Sequence, residues 1–120
     1  MKTDYKRSDR VADVLQKEIA DLVLRRVKDP RAVNLTVTGV QVTPDLKHAR
    51  VFYCVMSGSA DERAKQDAAS GLEKAKGFIR QELGKRLRLR YIPQLYFEYD
   101  ISFEYGDKIE RLLKDIHRDE

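Results

Sequence analysis

The sequence of 120 residues lacks the features that several classes of protein require. Its single cysteine, Cys54, cannot form an intramolecular disulfide, and no Cys-x-x-Cys motif exists for a structural zinc ion. No apolar run approaches the roughly 18 residues that a membrane-spanning helix needs, and residues 1–5 do not resemble a signal peptide. We therefore expect a cytoplasmic protein that does not associate with membranes.

The motifs of common enzymes are also missing, since the sequence contains no phosphate-binding P-loop, no GxSxG and no HExxH. The acidic pair Asp61 and Glu62 fits the start of a helix, and Glu98 with Asp100 fits a solvated strand face. The two histidines and the scattered acids form no recognisable metal-binding or acid–base set. We expect no enzymatic activity, no cofactor, no metal ion and no small-molecule substrate.

Charge is abundant and unevenly distributed. Charged residues make up 37% of the chain, and the formal net charge is +4. The segment 74–90 alone carries +6, because Glu82 is its single acid beside Lys74, Lys76, Arg80, Lys85, Arg86, Arg88 and Arg90. A second cluster around Asp29 consists of Arg25, Arg26, Lys28 and Arg31. Local concentrations of positive charge favour a polyanionic partner.

The first half of the sequence predicts one helix and two strands. Ser8 is a suitable N-cap, and apolar residues recur at helical spacing over residues 11–27. Alternation over residues 35–42 predicts a strand in which Gly39 marks a bulge. Residues 49–56 are apolar at nearly every position, so we place this strand at the centre of the sheet.

The second half predicts further helix and a third strand. A capping-box pattern at residue 59 opens about 27 residues of helical periodicity, long for a globular helix and interrupted by three glycines, so we expect a kink that divides it into two helices. Strict alternation predicts a strand over residues 95–104. Gly106 precedes a short amphipathic turn or helix, and a short charged tail is expected from about residue 107.

The predicted order is α-β-β-α-α-β within one domain, residues 1–120. A right-handed crossover through the helices places the third strand parallel to the second, and a short turn at Pro44 makes the first two strands antiparallel. The fold class is therefore α+β, with a three-stranded mixed sheet covered by helices on one face. This arrangement is typical of a type II KH-like domain, a module that binds single-stranded RNA.

The GxxG loop of KH domains is replaced here by Ala75-Lys76-Gly77, which is one residue shorter. Other short motifs accompany it in order: Arg10-Val11-Ala12, Val27-Lys28-Asp29-Pro30-Arg31, Val37-Thr38-Gly39-Val40, Asp45-Leu46, Ala49-Arg50-Val51, Ile79-Arg80, Leu89-Arg90, Pro93-Gln94-Leu95 and Phe97. In these motifs the sequence resembles the ribosome-binding factor A family, in which an AxG kink joins two helices. The chain ends soon after Ile116, so the longer C-terminal tail of some relatives is short here.

The resemblance implies a noncatalytic factor in ribosome biogenesis. Such a protein binds the free 30S small ribosomal subunit and its 16S rRNA during late maturation, supports processing of the rRNA precursor, and contributes to growth in the cold. We expect a monomer whose partners are the small subunit and its rRNA.

The residues themselves suggest where RNA binds. The first-rank phosphate contacts are Lys76, Arg80, Lys85, Arg86, Arg88 and Arg90, and the second-rank ones are Arg25, Arg26, Lys28 and Arg31. Two alternatives remain: the basic helix is merely a solvated surface, or the protein is an adaptor that docks this helix on an acidic protein. His48, near a turn beside Lys47 and Arg50, is either an incidental surface histidine or a hydrogen-bond donor to RNA. Tyr96 either covers the edge of the sheet or stacks on a base.

Overall fold

The computed structural model describes residues 6–25, 35–55 and 62–118. Six elements follow one another along these ranges. They are α1 (Arg7–Arg25), β1 (Leu35–Val42), β2 (His48–Val55), α2 (Glu62–Arg86), β3 (Gln94–Tyr99) and α3 (Ile101–Arg118).

The three strands form one mixed sheet in the order β1-β2-β3. Strand β1 pairs antiparallel with β2, and β3 pairs parallel with β2, so the predicted topology and the central position of the second strand are confirmed. The register shifts between Val37 and Gly39, which confirms the bulge. A bulge lets the apolar residues on both sides of Gly39 face the core although the sequence changes phase there.

The core lies between one face of the sheet and the two helices α1 and α2. Alternate residues of β2 point into it, because successive side chains of a strand face opposite sides. Its buried apolar side chains include Leu15, Ile19 and Leu22 of α1, Val51 and Tyr53 of β2, Leu72, Ile79 and Leu83 of α2, and Leu95 of β3. The expected packing of helices on one sheet face is thus observed for α1 and α2.

The predicted division of the long helical segment into two helices is not observed. Helix α2 runs without interruption from Glu62 to Arg86 and includes Ala75-Lys76-Gly77. Each interior glycine costs roughly 1 kcal/mol relative to alanine. Burial of a single large apolar side chain, such as Ile79, contributes roughly 1.5–3 kcal/mol. Packing against the core therefore outweighs the low helix propensity of the glycines.

The third strand is shorter than its alternating pattern predicts, since β3 ends at Tyr99 and α3 begins at Ile101. Asp100 is the reason: its Oδ1 accepts a hydrogen bond from the backbone N–H of Phe103 at 3.0 Å, an N-cap that starts a helix. Thr38 on β1 donates to the other carboxylate oxygen of Asp100 at 2.6 Å. The predicted N-cap at the other end of the chain differs too, because Ser8 lies inside the first turn of α1.

Helix α3 contains residues 107–118, which we expected to form a short charged tail, and Gly106 lies within it. It is joined to the rest of the domain near its first turn. There Glu104 accepts a hydrogen bond from the Tyr99 hydroxyl at 2.6 Å and pairs with Lys65 Nζ at 3.1 Å. Its large apolar residues remain exposed to solvent. Among the described residues, no helix contains the continuous apolar stretch that a membrane-spanning segment requires.

Candidate nucleic-acid interface

A cleft of about 890 Å³ lies where the middle of α2 meets the start of β2 and the segment between α2 and β3. Its walls are formed by Lys47, His48, Gly77, Arg80, Gln81, Arg90, Tyr91, Ile92 and Gln94. None of these nine lining residues is acidic, whereas three are Lys or Arg and a fourth is histidine. We call this site the basic cleft, and a concave surface with charge of one sign concentrates oppositely charged ligands.

Arg80 fixes the wall of the cleft that α2 provides. Its Nη2 donates to the backbone carbonyl of Ile92 at 2.8 Å, and its Nε donates to the carbonyl of Pro93 at 3.2 Å. These two bonds tie α2 to the chain segment that enters β3. A guanidinium group has five N–H donors, so Arg80 can hold this segment and still donate to a phosphate.

Arg90 and Tyr91 form another part of the lining. The Arg90 guanidinium carbon lies 5.6 Å from the centre of the Tyr91 ring, a cation–π arrangement. Both side chains are exposed. The cleft therefore presents a positive charge and an aromatic face side by side.

The start of β2 supplies Lys47 and His48. Parallel pairing of β2 with β3 sets His48 opposite Gln94, and the backbone N–H of Gln94 donates to the Lys47 carbonyl at 2.9 Å. His48 Nδ1 lies 3.0 Å from the hydroxyl oxygen of Tyr96. Tyr96 lies on the outer face of the sheet, which is the face that points away from α1 and α2. This contact links the basic cleft to the outer face of the sheet.

Of the ten basic residues that the sequence suggested as phosphate contacts, seven lie in the described ranges, and two of these seven, Arg80 and Arg90, line the cleft. Lys76 stands one residue before Gly77 but pairs with Glu73 at 2.9 Å, and its Nζ lies 5.9 Å from the centre of the Phe97 ring. Arg88 is exposed and does not line the cleft.

Other predicted contacts are paired with carboxylates elsewhere on the domain. Lys85 pairs with Glu82 at 3.2 Å, and Arg25 pairs with Asp21 at 2.8 Å. Arg86 joins α2 to α1, because its Nη1 lies 2.9 Å from carboxylate oxygens of both Glu18 and Asp21. The remaining second-rank residues, Arg26, Lys28 and Arg31, lie outside the described residues.

The role of Arg86 can be separated from nucleic-acid binding by pH. Its hydrogen bond, followed by the charge of Arg25, lowers the pKa of Asp21 below the ordinary 3.8. A carboxyl group whose pKa is lowered in the folded state stabilises the protein at pH values above its ordinary pKa. This stabilisation is lost as the pH falls through the lowered pKa of the folded state.

We therefore expect Arg86→Gln to reduce the Tm at about pH 7 and to differ less from the wild type at about pH 3. Thermal unfolding followed by circular dichroism measures both values. RNA affinity should be unchanged once folding is matched. A variant with wild-type stability and impaired RNA binding would place Arg86 in the interface instead.

Sequence reasoning missed Lys47, Gln81, Tyr91 and Gln94 as site residues, and it named His48 only as an alternative donor to RNA. A signal existed for one of them: Tyr91 directly follows Arg90, and an aromatic residue beside a basic one is common in nucleic-acid interfaces. Lys47 and Gln94 carried no such signal, since only the pairing of β2 with β3 brings them together.

Gly77 lines the basic cleft, and its backbone does not require glycine. The structure contains no glycine with positive φ among the described residues, and a Cβ at Gly77 would have no neighbouring atom within 4 Å. What glycine provides here is an open cleft wall. Its importance as a helix kink, which the resemblance implied, is not needed to explain this position.

Substitutions of Gly77 separate these roles. Gly77→Ala should increase the free energy of unfolding by about 0.5–1 kcal/mol, because alanine is the better helix former. Gly106→Ala in α3, where a Cβ would also meet nothing, is the matched control.

Gly77→Leu should weaken RNA binding by filling the cleft without loss of stability in urea denaturation. Wild-type RNA affinity for Gly77→Leu would exclude the cleft as the binding site.

Within the described ranges no group of three or more His, Cys, Asp or Glu side chains could hold a metal ion. Cys54 is buried on β2, and burial raises the pKa of its thiol. A raised pKa keeps the thiol protonated at neutral pH and therefore poorly nucleophilic, as expected for a core cysteine.

Comparison with known proteins adds a family to this geometry. The model of a family described as ribosome-binding factor A matches residues 7–113. A protein named Ribosome-binding factor A from Syntrophobacter fumaroxidans is 62% identical over 117 residues, covering 98% of this chain and 99% of its own length. One of the same name from Syntrophus aciditrophicus is 52% identical over 118 residues, covering 98% and 94%.

Solved structures agree in fold. The crystal structure of ribosome-binding factor A from Thermus thermophilus matches with a TM-score of 0.67 at 24% identity, over 77% of this chain and 93% of that one. A homology model of the Thermus thermophilus protein, fitted into a cryo-EM map of its complex with the 30S subunit, matches with a TM-score of 0.59 at 24% identity. It covers 72% of this chain and 88% of the other.

Proposed function

Because the chain belongs to the ribosome-binding factor A family, we propose that it binds the free small ribosomal subunit and contacts 16S rRNA through the basic cleft. The observation that carries this proposal is the composition of the cleft, whose nine lining residues include Lys47, Arg80 and Arg90 and no acid. Each phosphate that such a cleft neutralises releases counterions from the RNA and increases affinity.

Two findings from relatives support the small subunit as the partner. The similar proteins from Syntrophobacter fumaroxidans and Syntrophus aciditrophicus are named for ribosome binding. The Thermus thermophilus homologue was fitted into a map of a complex with the 30S subunit. We expect the protein to act as a monomer in the cytoplasm.

The mechanism follows from differential affinity. A factor that binds an immature rRNA conformation more tightly than the mature one shifts the population toward the immature form and leaves when maturation removes the preferred conformation. No covalent chemistry is required. We expect this cycle to support processing of the 16S rRNA precursor during late subunit maturation and to matter most for growth in the cold.

The proposal is tested by sedimentation of the tagged protein through a sucrose gradient. It should migrate with free small subunits and be absent from joined ribosomes. Treatment with ribonuclease should release it, whereas the alternative of an adaptor on an acidic protein surface predicts that the complex survives the nuclease. Migration at the top of the gradient under all conditions would contradict both.

The noncatalytic part of the proposal needs a separate experiment. Purified protein incubated with precursor 16S rRNA and magnesium should leave the RNA intact, while cells that lack the protein should accumulate the unprocessed precursor. Both results are expected together. Magnesium-dependent cleavage by the purified protein, abolished by Asp100→Asn, would make it a nuclease instead.

A further inference from the structure

Two exposed tyrosine rings stand beside the basic cleft. Tyr91 lines the cleft and is 65% exposed. Tyr96 is 44% exposed on the outer face of β3, and its hydroxyl oxygen contacts His48, which also lines the cleft. By contrast, Tyr53 of β2 is only 4% exposed and packs in the core. Burial in the core therefore does not explain why Tyr91 and Tyr96 are aromatic.

The surroundings of the two rings suggest what they bind. The Arg90 guanidinium lies 5.6 Å from the centre of the Tyr91 ring, so a phosphate bound to Arg90 would have an aromatic surface next to it. The His48 and Tyr96 rings form a second aromatic surface, with centroids 5.7 Å apart and planes tilted by 37°. Basic groups interleaved with exposed aromatic rings are the arrangement with which proteins hold unpaired nucleotides.

We propose that RNA in the basic cleft is held by base stacking, with one unpaired base on Tyr91 and another on the Tyr96–His48 pair. This inference rests on the proposed function, because it takes RNA as the ligand of the cleft. Lys47, Arg80 and Arg90 contact the phosphates, and the aromatic rings contact the base faces. In a duplex those faces are covered by neighbouring base pairs, so the two tyrosines select unpaired RNA.

The test compares three ligands by fluorescence anisotropy with the full chain. They are a labelled single strand of about ten nucleotides, a hairpin with the same number of phosphates, and a strand whose central bases are removed while its phosphates remain. The intact strand should bind about 100-fold more tightly than the abasic strand, because both stacking contacts, worth about tenfold each, are lost with the bases while the charge is not. The hairpin should bind no better than the abasic strand.

Variants assign the effect to the rings. Tyr91→Leu and Tyr96→Leu should each weaken binding of the intact strand about tenfold and leave binding of the abasic strand unchanged. Tyr91→Phe keeps the ring and should restore affinity. Tyr105→Leu is the matched control, because Tyr105 is 66% exposed but lies on α3 and does not line the cleft. The salt dependence should not change in any of these variants, since none removes a charge.

The outcomes separate this inference from the proposed function. Equal affinity for intact and abasic strands, or wild-type affinity in both leucine variants, would overturn base stacking while RNA binding itself stands. Failure of the wild type to bind any of the three RNAs or to sediment with small subunits would overturn the proposed function. Binding to polyglutamate in the absence of RNA binding would assign the cleft to a protein partner and overturn both.

Discussion

Reversing the charges of Lys47 and Arg90 together is expected to weaken binding to small-subunit rRNA by about 100-fold. The figure follows from two charge-assisted hydrogen bonds of at least about 1.5 kcal/mol each, at about 1.4 kcal/mol per tenfold change. The slope of log K against log salt should also fall by about 0.7 for each phosphate of a single strand that the variant no longer neutralises. Binding isotherms at several salt concentrations measure both quantities for Lys47→Glu with Arg90→Glu.

The matched control carries the same change in net charge at another place. Lys108 and Lys114 are exposed residues of α3, so Lys108→Glu with Lys114→Glu alters the long-range field of the protein but not the cleft. Arg80 is left intact in both variants, because its bonds to the carbonyls of Ile92 and Pro93 hold the wall of the cleft. Equal loss of affinity in the two double variants would show that net charge, and not the cleft, determines binding.

Truncating Ile79 to alanine is expected to lower the free energy of unfolding by about 2–5 kcal/mol. Ile79 is fully buried and lies in α2 between Gly77 and Arg80, with Leu83 one turn further along the helix. The effect combines the removed apolar surface with the cavity that remains, and it is large beside a typical total of about 5–15 kcal/mol. Urea denaturation of Ile79→Ala measures it, and a lower midpoint at an unchanged m value is expected.

The control for this variant deletes a side chain of the same size from α3. Leu112 is 54% exposed, so Leu112→Ala should change stability by no more than about 0.5 kcal/mol. Similar losses in Ile79→Ala and Leu112→Ala would mean that the apolar side of α3 is covered in solution. A loss confined to Ile79→Ala is the expected result, because Ile79 is fully buried and Leu112 is exposed.

The amino-acid sequence by itself determined the sheet and much of the core. Alternation in residues 35–42, the bulge at Gly39 and the apolar run that follows are local patterns, and they predicted the pairing and order of the strands correctly. The short motifs that include Ala75-Lys76-Gly77 predicted the family, which the match over residues 7–113 confirms. Local periodicity suffices for these features because side-chain direction repeats with the backbone geometry of each element.

Two element boundaries were beyond the reach of local patterns. The glycines of α2 suggested two helices, but burial of residues such as Ile79 keeps one helix intact. Residues 101–103 continue the alternation of β3, but the capping bond of Asp100 turns the chain into α3. In both cases the outcome depends on contacts that a period of two or 3.6 residues does not encode.

The site was decided mainly by the tertiary structure. The seven basic residues of segment 74–90 look equivalent in the sequence. In the structure, Arg86 forms ion pairs with Glu18 and Asp21 on α1. Arg80 instead donates hydrogen bonds to the segment before β3. Lys47 and His48 join Arg90 and Tyr91 in one cleft only because β2 and β3 pair in parallel. The sequence gives the number of charges. Packing determines which basic side chains pair with carboxylates and which remain available to a ligand, because electrostatic interactions depend on distances in space.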